Sequence, residues 1–138
     1  MRVFFDTSAL AKRYVQENGS EQINKIFKNS SHEFFVSILT LPEIFSAMSR
    51  LRRESRLTKK QYQEIKDALL REFDDFHVCD LTSEVVRQAV ELLEKYTLRT
   101  LDAMHLACAV MIKADLFVSS DTQQIKAAKN LSLAVMET

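Results

Sequence analysis

The sequence predicts an α/β domain in three layers, with a central, mostly parallel five-stranded sheet covered by helices on both faces. Three observations predict it. Short apolar runs alternate with long amphipathic segments, which implies parallel strands joined by right-handed helical crossovers. The apolar runs show no polar alternation, as expected for strands buried on both faces. One glycine, Gly19, and one proline, Pro42, leave no flexible linker and argue against an all-β fold with many tight turns. A chain of 138 residues fits one domain, residues 1–138, and a hydrophobic content of 46% can fill its core.

The elements follow in order. Val3, Phe4 and Phe5 form a first strand, stopped by Asp6; Thr7 and Ser8 lead into an apparent helix. Ser20 can cap a helix in which Ile23, Ile26 and Phe27 share a face. Phe34, Phe35 and Val36 form a second strand. Residues 40–55 carry Leu41, Ile44, Phe45, Met48 and Leu51 at helical steps. Thr58 can cap a helix holding Tyr62, Ile65, Leu69 and Phe73. Phe76, His77, Val78 and Cys79 make a weaker third strand. Val85, Ala89, Leu92 and Leu93 mark a helix starting near Thr82 or Ser83, and Thr100 begins one containing Met104, Ala107, Cys108 and Met111. Leu116, Phe117 and Val118 form a fourth strand. Asp121 or Thr122 opens the last helix, with Ile125 and Ala128 inside, and residues 131–135 supply a fifth strand. Ligands of such folds gather beyond the carboxyl ends of the strands.

Acidic and basic residues balance at 19 each, which excludes a uniformly basic nucleic-acid binder; recognition of a charged polymer must rest on local clusters. Cys79 and Cys108 form neither a metal-spaced pair nor a disulfide framework, and their sparseness suits a reducing cytoplasm. No signal peptide is expected after Met1 and Arg2, and no apolar stretch approaches the roughly 20 residues that span a bilayer.

Four acids stand at the ends of apolar segments. Asp6 ends the first strand and Asp121 follows the fourth. Asp102 lies in the first turn of T-L-D-A-M-H-L-A-C-A-V, with His105 and Leu106 continuing its face; Glu43 follows Pro42 at another helix start. Taken singly, each reads as a cap or a partner of the helix dipole, worth about 0.3–1 kcal/mol. Gathered in one cleft they would repel and raise one another's pKa values, so the cleft would need a cation. Mg²⁺ or Mn²⁺ suits carboxylate oxygens, and could activate water and steady the charge of an in-line phosphoryl displacement. Spacing alone does not decide whether the four converge.

The segments F-F-D-T-S-A-L, L-T-L-P-E-I, T-L-D-A-M-H-L-A and F-V-S-S-D, in this order and spacing, resemble the PIN-domain ribonucleases, of the kind that forms the VapC toxin of VapBC toxin–antitoxin pairs. The resemblance covers almost the whole chain. It implies a five-stranded parallel sheet and a catalytic quartet of Asp6, Glu43, Asp102 and Asp121. Asp6, Asp102 and Asp121 are implied as ligands of Mg²⁺ or Mn²⁺, with Glu43 serving a second ion or orienting the attacking water. Thr7 and Ser8 match hydroxyl positions after the first acid, and Ser119 or Ser120 matches a supporting hydroxyl. The implied substrate is RNA, the implied partner a cognate antitoxin, and the implied assembly a homodimer. No acid of the quartet is missing.

Other residues read less sharply. His105 could ligate metal with Asp102, but hard cations prefer oxygen, and packing with a bond to a nearby carboxyl or backbone group is the alternative. His32 and His77 have no visible partner. Arg50, Arg52, Arg53, Arg56, Lys59 and Lys60 form either a solvated face paired with Glu54 and Glu64 or a track for RNA phosphates. Lys12, Arg13 and Arg99 are further RNA-binding candidates, Arg99 being favoured near the cleft. Leu51, Leu57, Tyr62 and Leu69 form either a groove for a partner helix or ordinary core. Two competing functions are a non-catalytic RNA-binding or scaffold module and a phosphoacceptor receiver-like domain. The latter wants adjacent acids on the first strand and a lysine after the last, and residues 131–138 contain no lysine.

Overall fold

A computed structural model describes residues 1–138. Five strands, β1 (Arg2–Phe5), β2 (Glu33–Ser37), β3 (His77–Cys79), β4 (Leu116–Ser119) and β5 (Ala134–Glu137), form one sheet. All are parallel, in the order β3-β2-β1-β4-β5. Seven α-helices surround them: α1 (Thr7–Leu10), α2 (Ser20–Phe27), α3 (Thr40–Arg53), α4 (Lys59–Phe73), α5 (Ser83–Lys95), α6 (Thr100–Met111) and α7 (Thr122–Asn130). A 3-10 turn, Ala11–Arg13, extends α1.

Side chains of a strand alternate between the two sheet faces. Phe4 and Phe117 therefore pack with Leu92, Leu106 and Ile125 of α5–α7, whereas Val3, Phe5 and Val118 pack with Leu10, Ile23, Met48 and Leu69 of α1–α4. Both sets are buried, which is why the strands read as unbroken apolar runs. Thr58 and Thr82 cap α4 and α5 as expected, and Asp121 caps α7. Cys79 and Cys108 are free thiols.

Three expectations need correction. Ser20 does not cap α2: Gly19 holds the cap position at φ 95°, and Ser20 Oγ instead accepts from the Glu17 amide at 2.9 Å. The fifth strand starts three residues later than its apolar run, at Ala134. Residues 131–133 close α7 instead, with Ser132 left-handed (φ 62°) and the amides of Leu131 and Leu133 returning to Ala128 O at 3.1 Å. Helix ends need such a reversal to satisfy their last carbonyls, and Leu131 and Leu133 fill the core beside it. Helix α3 stops at Arg53 by the same device, with Ser55 left-handed and the Arg56 amide bonded to Leu51 O at 2.9 Å. Leu69 is fully buried and belongs to the core, with Leu57 and Tyr62 packed against it.

Arg13 also departs from its expected place at the cleft. Its Nε and Nη2 donate to Glu72 at 2.7 and 2.8 Å, and its guanidinium lies 4.1 Å from the Phe27 ring centroid. Tyr14 Oη donates to Glu72 at 2.7 Å. Burial pushes the Glu72 pKa up, but the bonds from Arg13 and Tyr14 outweigh it and the net shift is downward. A lowered carboxyl stabilises the fold above its unfolded pKa, and that contribution is lost as pH falls through the folded value. Arg13→Ala is expected to destabilise by about 1–2 kcal/mol, discounted for partial exposure. Chemical denaturation from neutral to acidic pH checks both parts: the deficit shrinks as Glu72 protonates.

Candidate active site

The strand order reverses beside β1, whose neighbours are β2 and β4. Ligand sites of open parallel sheets lie beyond the strand ends at such a point. Asp6 leaves β1 there and caps α1, accepting from the Ala9 amide at 3.0 Å. Ser8 Oγ donates to its two oxygens at 2.7 and 2.9 Å, and Ser119 Oγ donates to Oδ2 at 2.7 Å. The Asp6 side chain is buried, and loss of water pushes its pKa up against the opposing bonds from Ser119, Ala9 and Ser8. Capping and cavity lining are thus both true of Asp6. Of the two candidate serines after β4, Ser119 makes the bond to Asp6, while the Ser120 amide donates to Ser8 Oγ at 3.0 Å.

Glu43 reaches in from the first turn of α3. Its Oε1 accepts from Thr7 Oγ1 at 2.7 Å and bonds His105 Nε2. His105 is buried on α6, and its Nδ1 lies 3.0 Å from Ser37 Oγ at the end of β2; the Leu39 amide donates to the same hydroxyl at 3.1 Å. The Nε2–H tautomer satisfies this chain throughout, with Ser37 donating to Nδ1. Burial raises the Glu43 pKa, yet the bonds from His105 and Thr7 turn the net shift downward. His105 therefore bonds a carboxyl, the second of its two anticipated roles.

Asp102 comes from the first turn of α6. Its Oδ2 accepts from Arg99 Nε at 3.1 Å, and burial pushes its pKa up despite that cation. Asp121 caps α7, accepting from the Gln123 amide at 2.8 Å, with Arg99 Nη2 at 4.0 Å from its Oδ2. The 85% exposed Arg99 thus straddles two acids from the solvent side.

Gln124 escaped sequence reasoning. Its Nε2 donates to Asp6 Oδ2 at 2.8 Å and to Asp102 Oδ1 at 3.2 Å, so one amide bridges two carboxylates. Its Oε1 is buried without a partner. The available signal was position: it stands three residues after the cap Asp121, where side chains turn back toward a helix start.

All four acids, with Thr7, Ser8, Arg99, His105, Ser120 and Gln124, line one cavity of about 450 Å³ that has no hydrophobic residue in its wall. No three of its carboxylates and imidazole yet surround a common point at ligating distance; the Gln124 amide and the Arg99 guanidinium lie between them instead. Lys12 lines a neighbouring groove and Arg13 lies outside the cavity. In the basic cluster, Arg56 pairs with Glu54 at 3.5 Å, while Glu64 forms no ion pair.

This combination defines a class: α/β proteins with an acid-lined cavity at the switch point of a parallel sheet. Within that class, residues 3–130 match the family model described as "PIN domain", and the chain belongs to the PIN-domain family. It is 32% identical over 114 residues to Ribonuclease VapC45 and to Ribonuclease VapC49 of Mycobacterium tuberculosis, covering 80% of this chain and 76% of each relative. Among solved structures, FitAcB from Neisseria gonorrhoeae superposes with a TM-score of 0.75 at 14% identity, covering 98% of this chain and 96% of its own. VapBC2 from Rickettsia felis, bound to a DNA fragment from its promoter, gives 0.72 at 16% identity over 100% and 99%. M. tuberculosis VapC20, a sarcin–ricin loop cleaving toxin, gives 0.68 at 19% identity over 91% and 94%. At these identities the solved structures bear on the fold alone.

Proposed function

We propose that the chain is a metal-dependent endoribonuclease, the toxin of a type II toxin–antitoxin pair. In this reading it hydrolyses RNA phosphodiesters in the cytoplasm, acts as a homodimer and is restrained by a cognate antitoxin. One observation carries the proposal: a cavity holding four carboxylates and no hydrophobic residue, in a chain related to two curated ribonucleases. No helix is long and apolar enough to cross a membrane.

The residues fit a hard divalent ion. The acidic donors that line the cavity are all hard oxygens. Asp6, Asp102 and Asp121 are the side chains that would hold Mg²⁺ or Mn²⁺, with Glu43 beside them. When bound, such an ion supplies a Lewis acid that polarises the phosphoryl group and lowers the pKa of water. It would also favour the charged forms of Asp6 and Asp102, whose burial otherwise favours the neutral ones.

This chain's own groups do the rest. Glu43, held ionised by Thr7 and His105, is placed to orient a water and accept its proton. The hydroxyls of Ser8 and Ser119 donate to Asp6 and hold its carboxyl in place. Arg99, on the solvent side, can swing from Asp102 to an incoming phosphate and offset its charge. Incubation of purified protein with mixed RNAs, in Mg²⁺, Mn²⁺ or EDTA, tests the reading. Cleavage in either metal and none in EDTA is expected; undiminished cleavage in EDTA would remove the metal from it.

Gln124 makes a separate prediction. Its amide uses lone pairs on Asp6 and Asp102 that a cation would take. Gln124→Met, of similar length, is expected to destabilise the metal-free protein by about 1–3 kcal/mol. It should also enlarge the rise in melting temperature that saturating Mn²⁺ produces. An equal rise in both proteins would show that the amide does not compete.

A further inference from the structure

Beside the acid cavity, a groove of about 480 Å³ runs between the α1 region and α3. The two share Ser8 and Ser120 as a common wall. They differ in character. Four acids face one arginine in the cavity, whereas Lys12, Arg50 and Arg56 face only Glu17 around the groove. Seven of the groove's 13 lining residues are hydrophobic. Val15, Ala47 and Leu51 are half-buried, with Ile44 and Met48 buried beneath them. Lys12 and Arg50 make no ion pair within the chain. Arg50 also borders the depression on the Glu43 side of α3, so it stands at the junction of groove and acids.

An apolar floor under a cationic rim matches one nucleotide: a flat base with an apolar face, joined to an anion. The volume lies within the range of small-ligand sites, roughly 300–1,000 Å³. We propose that this groove is a nucleotide subsite, resting on the ribonuclease reading above. It takes the RNA nucleotide adjacent to the phosphodiester held at the acids. The base lies on Val15, Ala47 and Leu51, and its phosphate meets Lys12 and Arg50. Continuity through Ser8 and Ser120 keeps the strand running from one depression into the other. The excess of cations favours a polyanion over an apolar peptide. The subsite would then set which base flanks the cut.

The test uses the full chain and fluorescently labelled single-stranded RNA oligonucleotides. Anisotropy in EDTA reports binding without cleavage, so it stays informative if no RNA is cut. Lys12→Ala with Arg50→Ala is expected to weaken binding at least tenfold and to reduce the salt slope by about 0.7, the value for one phosphate contact on a single strand. Arg87→Ala on α5, across the sheet, is the control and leaves both unchanged. With metal, the double variant should raise KM with kcat nearly constant. Leu51→Ala should change the base preference at the cut while leaving the salt slope alone. Loss of all cleavage in the wild type, with RNA binding still dependent on Lys12 and Arg50, would defeat the ribonuclease reading and keep the groove as an RNA site. Wild-type RNA binding and base preference in all groove variants would overturn the subsite. So would variants that bind RNA normally but fail to hold a co-expressed antitoxin, since the groove would then be a protein interface.

Discussion

Asp6→Asn and Asp102→Asn each reduce RNA cleavage by about 10³-fold or more, the scale expected when a charge-stabilising group is removed from a transition state. The two variants attack one cavity from separate places, the turn after β1 and the first turn of α6. Each replaces a charged oxygen donor by a neutral amide of nearly the same shape, so the fold should survive. Rates on a fixed RNA, measured beside circular dichroism, check both statements. Equal cleavage by wild type and variants would assign the activity to a contaminant. Asp6→Asn also has a signature in pH. The folded pKa of Asp6 is raised, so between its unfolded and folded values the native state binds more protons than the unfolded one. The stability of the metal-free protein therefore gains a component that falls as pH rises through this window. Asp6→Asn lacks that component, and the difference between the two stability curves isolates it from the opposite contribution of Glu72.

His105→Ala should be costly in two currencies. The imidazole is buried and links Ser37 of β2 to Glu43 of α3. Truncation leaves a cavity, an unsatisfied Ser37 hydroxyl and a Glu43 held only by Thr7. The expected loss of stability is about 2–4 kcal/mol. Activity should fall about 10- to 100-fold, as when a partner that orients a reacting group is lost. The split between constants separates positioning from simple weakening: kcat falls while KM holds. A variant that melts early but turns over normally when folded would show that the imidazole only packs.

Much of the fold was legible because local chemistry and tertiary placement agree. Phe4 and Phe5 point to opposite faces, and both faces are covered, so the strand's unbroken apolar run carried its meaning. Thr58, Thr82 and Asp121 sit where helices need acceptors, and a cap is a local property. Leu131 and Leu133 misled because apolar character does not distinguish a strand from a helix closure that fills the core. For the site, the acids themselves could be picked out as candidates, but their meeting could not. The bond from Ser119 to Asp6 spans 113 positions and that between His105 and Glu43 spans 62, distances over which periodicity says nothing. Gln124 was invisible for a related reason. Glutamine is usually a surface residue, and only the pairing of β1 with β4 buries this one between two acids.

That central pairing has a consequence for the newborn chain. The hydroxyl and amide partners of Asp6 arrive with Ser119 and Gln124, 113 and 118 residues after it. A polypeptide stopped before residue 116 lacks both β4 and the fourth carboxylate. Copies terminated before that point would thus be born unarmed, and the complete cutting centre would come together only once Gln124 has been made.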